Sequence, residues 1–359
     1  MSAETGSGLD RMFKLIGQLP DQLAASRTLA GLESVTPPTE PPAHVILCGM
    51  GGSAIAGDLV QPLLQSQTVP LVVWRDYGLP HWAGPRDLVI CASYSGNTEE
   101  TLSGLAMARD RGCQLTGITS GGKLAAAAAD VDRPFPRVAL PAGLPPRAAL
   151  GYGLGALVGV LGRLGLVPGY QEEVDAAIHV LTAHRDSRRH PWGEGPADPE
   201  SESPLTAAAC AALLVRHPAV IYTADPEVHG VGRRFHGQLS ENAKRPAFLA
   251  ALPEADHNDL VGWAGASDLD LEPVLFLLRG PCADGRLQRR AEVTRDLLAP
   301  DMVQVVEITA QAPTVLARVL SLVQFGDYVS CHLARDTGVD PVPVTRIEDL
   351  KLALAKDLD

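Results

Sequence analysis

The sequence has no Cys-x-x-Cys pair among its six cysteines and no dense run of lysine and arginine. The missing pairs exclude a disulfide framework, and we expect the cysteines to be buried as small apolar side chains. Because 30 basic residues face 42 acidic ones, the formal net charge is −12 at pH 7. A surface of that sign repels nucleic acid and anionic lipid, so we predict no partner of either kind. A small anionic ligand is still compatible with this charge, because a local binding loop overrides it.

Long apolar segments and metal-binding motifs are also missing. No apolar run follows a basic start at the N-terminus, so we expect no signal peptide. The longest apolar stretch, Ala148–Leu166, is interrupted by glycines and by Arg163, whereas a membrane span needs about 18–20 apolar residues. No histidine or cysteine cluster has the spacing of metal ligands. We therefore predict a soluble, cytoplasmic protein with no membrane segment, no metal and no cofactor.

Short apolar runs alternate with helical patterns along most of the chain. Such alternation is typical of βαβ units that build a parallel sheet with helices on its faces. Nine runs have the length and composition of strands: His44–Cys48, Val69–Trp74, Leu88–Ala92, Gln114–Ile118, Arg137–Leu140, Ala219–Tyr222, Ala247–Leu252, Val274–Leu278 and Val303–Ile308. The fold class is therefore predicted to be α/β.

The chain divides into two such halves. An amphipathic helix over 9–30 precedes the first half, and residues 183–204 interrupt the pattern with four prolines and many charges, as an exposed loop or linker does. We predict a first domain over 1–165, a second over 205–335, and a helical C-terminal tail over 336–359.

The first candidate binding loop follows the first predicted strand and reads Gly49-Met50-Gly51-Gly52-Ser53. Glycines at the start of a helix let the backbone approach a ligand, and the free N–H groups there attract an anion. The spacing differs from the GxGxxG loop that binds dinucleotides, and no acidic residue ends the next strand to hold a ribose. A simple tight turn is the competing interpretation.

The second candidate loop follows the third predicted strand and contains Ser93, Ser95 and Thr98. Three hydroxyls at the positive end of a helix dipole suit a phosphate dianion. One hydroxyl would be explained as a helix cap, but three are not. Because both loops follow neighbouring strands, we expect them to converge at the carboxyl edge of one sheet. Together they predict a phosphate site formed by Gly51, Gly52, Ser53, Ser93, Ser95 and Thr98.

These two loops resemble those of the sugar isomerase (SIS) domain: GMGGSAIAGD over 49–58 and SYSGNTEET over 93–101. The second half contains Ser240-Glu241-Asn242-Ala243-Lys244 and His257-Asn258-Asp259, and with Pro145-Pro146-Arg147 and the tail from Asp340-Pro341 to Lys351 it is similar to the bifunctional phosphoglucose/phosphomannose isomerase family. That resemblance spans about residues 40 to 355. It implies two flavodoxin-like SIS domains, a homodimer and a hexose 6-phosphate substrate.

The resemblance also implies a role for each of four residues. Glu241 would be the base that moves a proton between C1 and C2 of the sugar. The sequence itself places Asn242 beside Glu241, and we expect this amide to orient the carboxylate by hydrogen bonding. His257 would open the sugar ring from across the dimer interface, and Lys351 would approach the ring oxygen. Arg147 would stabilise the negative enediol, as an oxyanion hole does.

The residue that follows the C-terminal Asp-Pro segment bears on substrate selectivity. In the family, a threonine near the C-terminal Asp-Pro segment makes room for the C2 epimer, so that mannose 6-phosphate is accepted as well as glucose 6-phosphate. Here Val342 follows Asp340-Pro341, and the nearest threonine is Thr345.

Two alternative functions stay open. A regulator that binds sugar phosphates without converting them is one alternative, and an SIS enzyme acting on a different sugar phosphate is the other.

Overall fold

The computed structural model describes residues 8–64, 68–186, 205–281, 284–309 and 311–356. Two parallel sheets form its framework, one in each half of the chain. All nine predicted strands are confirmed, and each predicted end lies within two residues of the observed one. The α/β fold class is therefore confirmed.

The first sheet has five parallel strands in the order β2-β1-β3-β4-β5. Its strands are β1 Val45–Cys48, β2 Leu71–Trp74, β3 Leu88–Ala92, β4 Gln114–Thr119 and β5 Arg137–Ala139. This is the flavodoxin-like order, in which ligands bind beyond the carboxyl ends of the central strands. Every residue of β1 and β3 is buried, because helices cover both faces.

The second sheet repeats the first four positions of that order. Its strands are β6 Ala219–Thr223, β7 Ala247–Ala251, β8 Val274–Arg279 and β9 Gln304–Thr309, arranged β7-β6-β8-β9 and all parallel. Strand β7 lies at the edge and is much less buried than β6 and β8.

The helices of the first half cover its sheet and extend towards the second half. They are α1 Gly8–Gly17, α2 Leu19–Ser26, α3 Gly51–Val60, α4 Glu99–Asp110, α5 Gly122–Ala128, α6 Leu150–Arg163 and α7 Tyr170–Asp186. The prediction of one helix over 9–30 is wrong, because the segment divides after Gly17. Pro20 has no N–H to donate and is tolerated only in the first turn of a helix, so a second helix begins there.

Six α-helices occur among the residues described in the second half. They are α8 Ala207–Leu214, α9 His229–Glu241, α10 Asp259–Gly262, α11 Gly285–Leu298, α12 Val315–Asp336 and α13 Thr345–Lys356. Helix α7 continues to Asp186, so the first four residues of the predicted loop 183–204 are helical. The remainder, 187–204, lies outside the described residues.

A layer of helices joins the two halves. Helix α12 packs against α7, α8 and α9, and α3 packs against α9. One buried apolar cluster therefore runs from Leu47 and Ile90 of the first sheet to Ile221 and Phe276 of the second. No helix in the described parts of the chain is long and apolar enough to span a bilayer.

The cysteines are buried, as predicted for the five that the structure describes. They are free thiols at Cys48, Cys91, Cys113, Cys210 and Cys331, while Cys282 lies outside the described residues. Burial raises the pKa of the Cys48 thiol to about 12, which keeps it protonated and unreactive at neutral pH.

Candidate functional site

The two predicted loops meet at the carboxyl edge of the first sheet. Strands β1 and β3 are neighbours, and the backbone N–H of Tyr94 donates to Ser53 Oγ over 3.2 Å. Helix α3 begins at Gly51, whose φ of +48° favours glycine. The predicted convergence is thereby confirmed.

Hydrogen bonds inside the second loop determine its shape. Ser93 Oγ lies 2.8 Å from Thr98 Oγ1 and accepts from the Gly96 N–H over 3.0 Å. At Gly96, a Cβ would lie 1.8 Å from the Gly121 carbonyl oxygen, so only glycine fits. Ser93 is buried, whereas Ser95 is exposed at the tip of the loop. Ser93 and Thr98 thus hold the loop, and a phosphate contact by any of the six predicted residues stays a prediction.

Arg147 connects the first half of the chain to the second. It lies in the turn Pro146–Ala148 just before α6, and its side chain is 5% exposed. Its Nε donates to Asn242 Oδ1 over 2.8 Å, and one terminal nitrogen donates to the carbonyls of Pro341 and Val342. The other terminal nitrogen lies 3.5 Å from a Glu241 carboxylate oxygen. Burial lowers the pKa of the Arg147 guanidinium, and the nearby Glu241 opposes that shift.

Glu241 is the last residue of α9, and its side chain is 33% exposed. It can therefore be reached from outside the protein while it stays beside a buried guanidinium. The neighbouring residue, Asn242, does not orient Glu241 as expected. The Asn242 amide accepts from Arg147 and donates to Ser330 Oγ over 3.0 Å, so it orients the arginine rather than the glutamate.

A second buried arginine supports the first. Arg234 of α9 donates to both carboxylate oxygens of Asp327 on α12, over 3.0 and 2.7 Å. It also donates to the backbone carbonyl of Arg147 over 3.1 Å. Since a bidentate pair fixes orientation as well as charge, α9 and α12 hold the Arg147 turn in place.

A cavity opens above these groups, and we call it the arginine cavity. Its polar and glycine lining consists of Gly51, Gly52, Arg75, Arg147, Arg233, Arg234, Gly237, Gln238 and Glu241. At Gly52, a Cβ would lie 3.1 Å from the Pro146 carbonyl oxygen, so a glycine lets α3 approach the Arg147 turn. The first loop, the predicted base and the predicted enediol-binding arginine therefore share one cavity.

Lys244 was not singled out as a site residue from the sequence. It has a φ of +56°, and its Nζ donates to the backbone carbonyls of Glu241 and, over 2.7 Å, Pro343. Burial, followed by the charge of Arg147, lowers the pKa of this amine. It ties the end of α9 to the tail, and nothing in the local sequence indicates a partner so distant along the chain.

His257 and Lys351 lie apart from this cluster in the single chain. His257 ends a short 3-10 helix, Glu254–His257, and is exposed, and Lys351 is exposed on α13. Within the described ranges, no hydrogen bond or ion pair joins either residue to Glu241 or Arg147. The structure therefore brings two of the four predicted catalytic residues together.

Val342 stands where the resemblance leads us to expect a threonine, and its side chain does not line the arginine cavity. Val342 packs against an apolar cluster that includes Met12, Ile16 and Cys331. Only its carbonyl oxygen reaches the site, where it accepts from Arg147. Thr345 is exposed at the first position of α13.

No metal-binding cluster of three or more His, Cys, Asp or Glu side chains occurs in the parts of the chain that the structure describes. The metal-free mechanism stays a prediction, and activity after chelation with EDTA tests it.

Comparison with known proteins adds three findings. A family model described as the bacterial phospho-glucose isomerase C-terminal SIS domain matches residues 205–354. A protein of Caldicellulosiruptor bescii named bifunctional phosphoglucose/phosphomannose isomerase is 34% identical over 349 residues, which cover 97% of this chain and 100% of that protein. A protein of Aquifex aeolicus with the same name is 32% identical over 326 residues, covering 90% and 94% of the two chains.

A solved structure has the same fold. The crystal structure of a hypothetical protein from Thermus thermophilus aligns with a TM-score of 0.72 at 21% identity, and covers 99% of this chain and 91% of that one.

Proposed function

The chain belongs to the bifunctional phosphoglucose/phosphomannose isomerase family, and we propose on this premise that it converts fructose 6-phosphate into both glucose 6-phosphate and mannose 6-phosphate. The observation that carries the proposal is the 3.5 Å contact between Glu241 and Arg147 in a cavity that also contains the glycine loop. The substrates are those named for the relatives.

Glu241 is proposed as the group that carries the proton. Aldose–ketose isomerisation removes a proton from C1 or C2 and returns it to the other carbon, so one base must both accept and release it. Glu241 combines an accessible carboxylate with a position beside Arg147. As the enediolate forms, the Arg147 guanidinium would stabilise its negative charge from a site where surrounding atoms already fix it.

The phosphate of the substrate is proposed to lie on Gly51, Gly52, Ser53, Ser93, Ser95 and Thr98. The N-terminus of α4 begins just after Thr98, and no side chain caps it. Uncapped N–H groups and the helix dipole favour an anion at that place. The meeting of the two loops through Ser53 and Tyr94 supports one shared site.

A homodimer is proposed to complete the site, with His257 supplied by the partner copy and Lys351 by the tail. The exposure of His257 and Lys351 supports this arrangement, since neither contacts Glu241 or Arg147 within the described residues. Apolar side chains are exposed on both sides of the His257 segment: Phe248 and Leu249 on the edge strand β7, and Val261 on α10. Exposed apolar side chains and an open sheet edge are typical of a surface that another chain covers.

The test is product analysis after incubation of EDTA-treated protein with fructose 6-phosphate, with separate coupled assays for glucose 6-phosphate and mannose 6-phosphate. Both products without added metal are the expected result. Glucose 6-phosphate alone would restrict the substrate and contradict the dual specificity. Binding of the sugar phosphate with no product would favour the non-catalytic regulator, and turnover of another sugar phosphate alone would favour a different SIS enzyme. The cytoplasmic location stays a prediction.

A further inference from the structure

The arginine cavity contains more positive charge than the proposed mechanism uses. Four guanidinium groups line it, and three carboxylates contact them: Asp58, Glu241 and Asp327. This excess of positive charge occurs in a chain whose formal net charge is −12. A local concentration of positive charge in an acidic protein points to an anionic ligand.

Two of the four arginines have their donors occupied. Arg234 donates to Asp327 and to the Arg147 backbone, while Arg147 donates to Asn242 and to two tail carbonyls and faces Glu241. Both side chains are 5% exposed. They hold the site together, and the Arg147 terminal nitrogen that faces Glu241 is the one that the proposed mechanism uses for the enediolate.

Arg75 and Arg233 are different, because both share a single carboxylate. Arg75 and Arg233 Nε contact the same oxygen of Asp58, the latter at 3.3 Å. The Asp58 side chain is 10% exposed, whereas Arg233 is 58% exposed and Arg75 is 28% exposed. Among the described residues, the terminal nitrogens of Arg233 donate no hydrogen bond, and its ion pair with Asp58 is made through Nε. Asp58 thus holds the guanidinium by its Nε and leaves its outer two-nitrogen fork open, the geometry that binds phosphate in a bidentate manner.

Arg75 and Arg233 lie apart from the second loop, called here the hydroxyl loop because it carries Ser93, Ser95 and Thr98. The arginine cavity shares Gly51 and Gly52 with the first loop, but Ser95 and Thr98 do not line it. A phosphate bound on the hydroxyl loop therefore leaves Arg233 available, on the side of the cavity where Glu241 lies. Arg233 and Glu241 line the same cavity, and in the proposed mechanism Glu241 acts at C1 and C2, so a subsite at Arg233 is assigned to that end of the sugar.

We propose that Arg75 and Arg233, held by Asp58, form a second anion subsite that binds the C1 phosphate of a hexose bisphosphate. This inference rests on the proposed function, because it uses the orientation of the sugar in that mechanism. Such a ligand competes with the substrate and is not converted, since its C1 oxygen is esterified and C1 cannot become the aldehyde of an aldose. The enzyme would then be inhibited by the doubly phosphorylated form of its own substrate.

The test compares fructose 1,6-bisphosphate as an inhibitor with fructose 6-phosphate as the substrate, in the wild-type protein and in Arg233→Gln. We expect the ratio of the inhibition constant to KM to rise about tenfold or more in the variant, because a charge-assisted bidentate contact to the bisphosphate alone is lost. Arg233→Lys should restore part of the difference, since it keeps the charge and loses the fork. The matched control is Arg289→Gln, an exposed arginine with one ion pair to Glu292 at 3.0 Å on α11, and it should leave the ratio as in the wild type.

Two results would overturn the second subsite. If Arg233→Gln raises KM and the inhibition constant by the same factor, Arg233 binds the phosphate of the substrate itself. If neither constant changes, the open fork binds no anion. A protein with no isomerase activity on fructose 6-phosphate would instead contradict the proposed function, and calorimetry with both sugars would then report the Arg233 effect independently.

Discussion

Arg147 Nε donates a hydrogen bond to Asn242 Oδ1 over 2.8 Å, and this contact between buried side chains joins the two halves of the chain at the proposed reaction centre. Asn242 is fully buried and is held in turn by Ser330. The position of the guanidinium beside Glu241 therefore depends on an amide that need not touch the substrate.

Asn242→Ala should lower kcat by about 10- to 100-fold, because the buried guanidinium loses a charge-assisted hydrogen bond and moves away from the enediolate. KM should change much less, since the phosphate loops are intact. Steady-state kinetics on fructose 6-phosphate measures both constants. Gln304→Ala, which removes an exposed amide on β9, is the control. An equal loss in kcat from both variants, or a loss confined to KM, would contradict a positioning role for Asn242.

Mixed dimers test whether His257 acts across the interface. Glu241→Gln and His257→Gln are each expected to be inactive, but one of the two sites in a mixed dimer would combine an intact Glu241 with an intact His257 from the other chain. Unfolding the two variants together and refolding them should restore about a quarter of the wild-type activity, the statistical yield for random pairing with one good site in each mixed dimer.

The matched control for that experiment pairs Glu241→Gln with Arg147→Lys. Both residues lie in the same chain at the same site, so no mixed dimer contains an intact pair and no activity should return. Recovery in the control as well, or none with the His257 variant, would show that the site is not shared between copies in this way.

The burial of His332 predicts that the stability of the protein depends on pH. It is 1% exposed on α12, lies against the Phe13 ring at 5.0 Å, and neither ring nitrogen has a hydrogen-bond partner in the described part of the chain. Burial lowers its pKa from 6.5 to about 4, and the charge of Arg335 adds to that shift while Asp336 opposes it. The folded protein therefore keeps the ring neutral at a pH where the unfolded chain binds a proton.

The sign follows from which state binds the proton. Above pH 6.5 neither state is protonated at His332, and between 6.5 and about 4 only the unfolded state is. The free energy of unfolding should fall with decreasing pH over that interval, by about 3 kcal/mol from this residue. His332→Leu should remove that part of the slope in urea unfolding curves, whereas replacement of the exposed His81 should not. An unchanged slope in His332→Leu would contradict the prediction.

Local patterns were enough to predict the framework and part of the site. The nine strands were predictable because parallel strands buried on both faces are continuous apolar runs, and the glycine and hydroxyl loops could be paired because they follow neighbouring strands. The break between α1 and α2 is absent from the prediction of one helix over 9–30, although Pro20 is a sequence signal for a new helix start.

The rest of the site depends on long-range contacts. Arg233 approaches Asp58 and Arg75 only after α9 packs on α3, and the tail carbonyls reach Arg147 from nearly two hundred residues away. Adjacency in the sequence predicts a hydrogen bond from Asn242 to Glu241, but in the folded chain Asn242 bonds Arg147 instead. Adjacency in sequence at the end of a helix does not determine which side chains face one another.

The role of Glu241 as the proton carrier is tested most directly by hydrogen exchange at C2 in deuterated water, with Glu241→Gln compared with Glu292→Gln. Glu292 also pairs with an arginine, Arg289, but lies on the surface of α11. Wild type and Glu292→Gln should incorporate solvent deuterium at C2 of the aldose product, and Glu241→Gln should bind fructose 6-phosphate without turnover or exchange. Turnover or C2 exchange at the wild-type rate in Glu241→Gln would show that another group carries the proton, and would contradict the role proposed for Glu241.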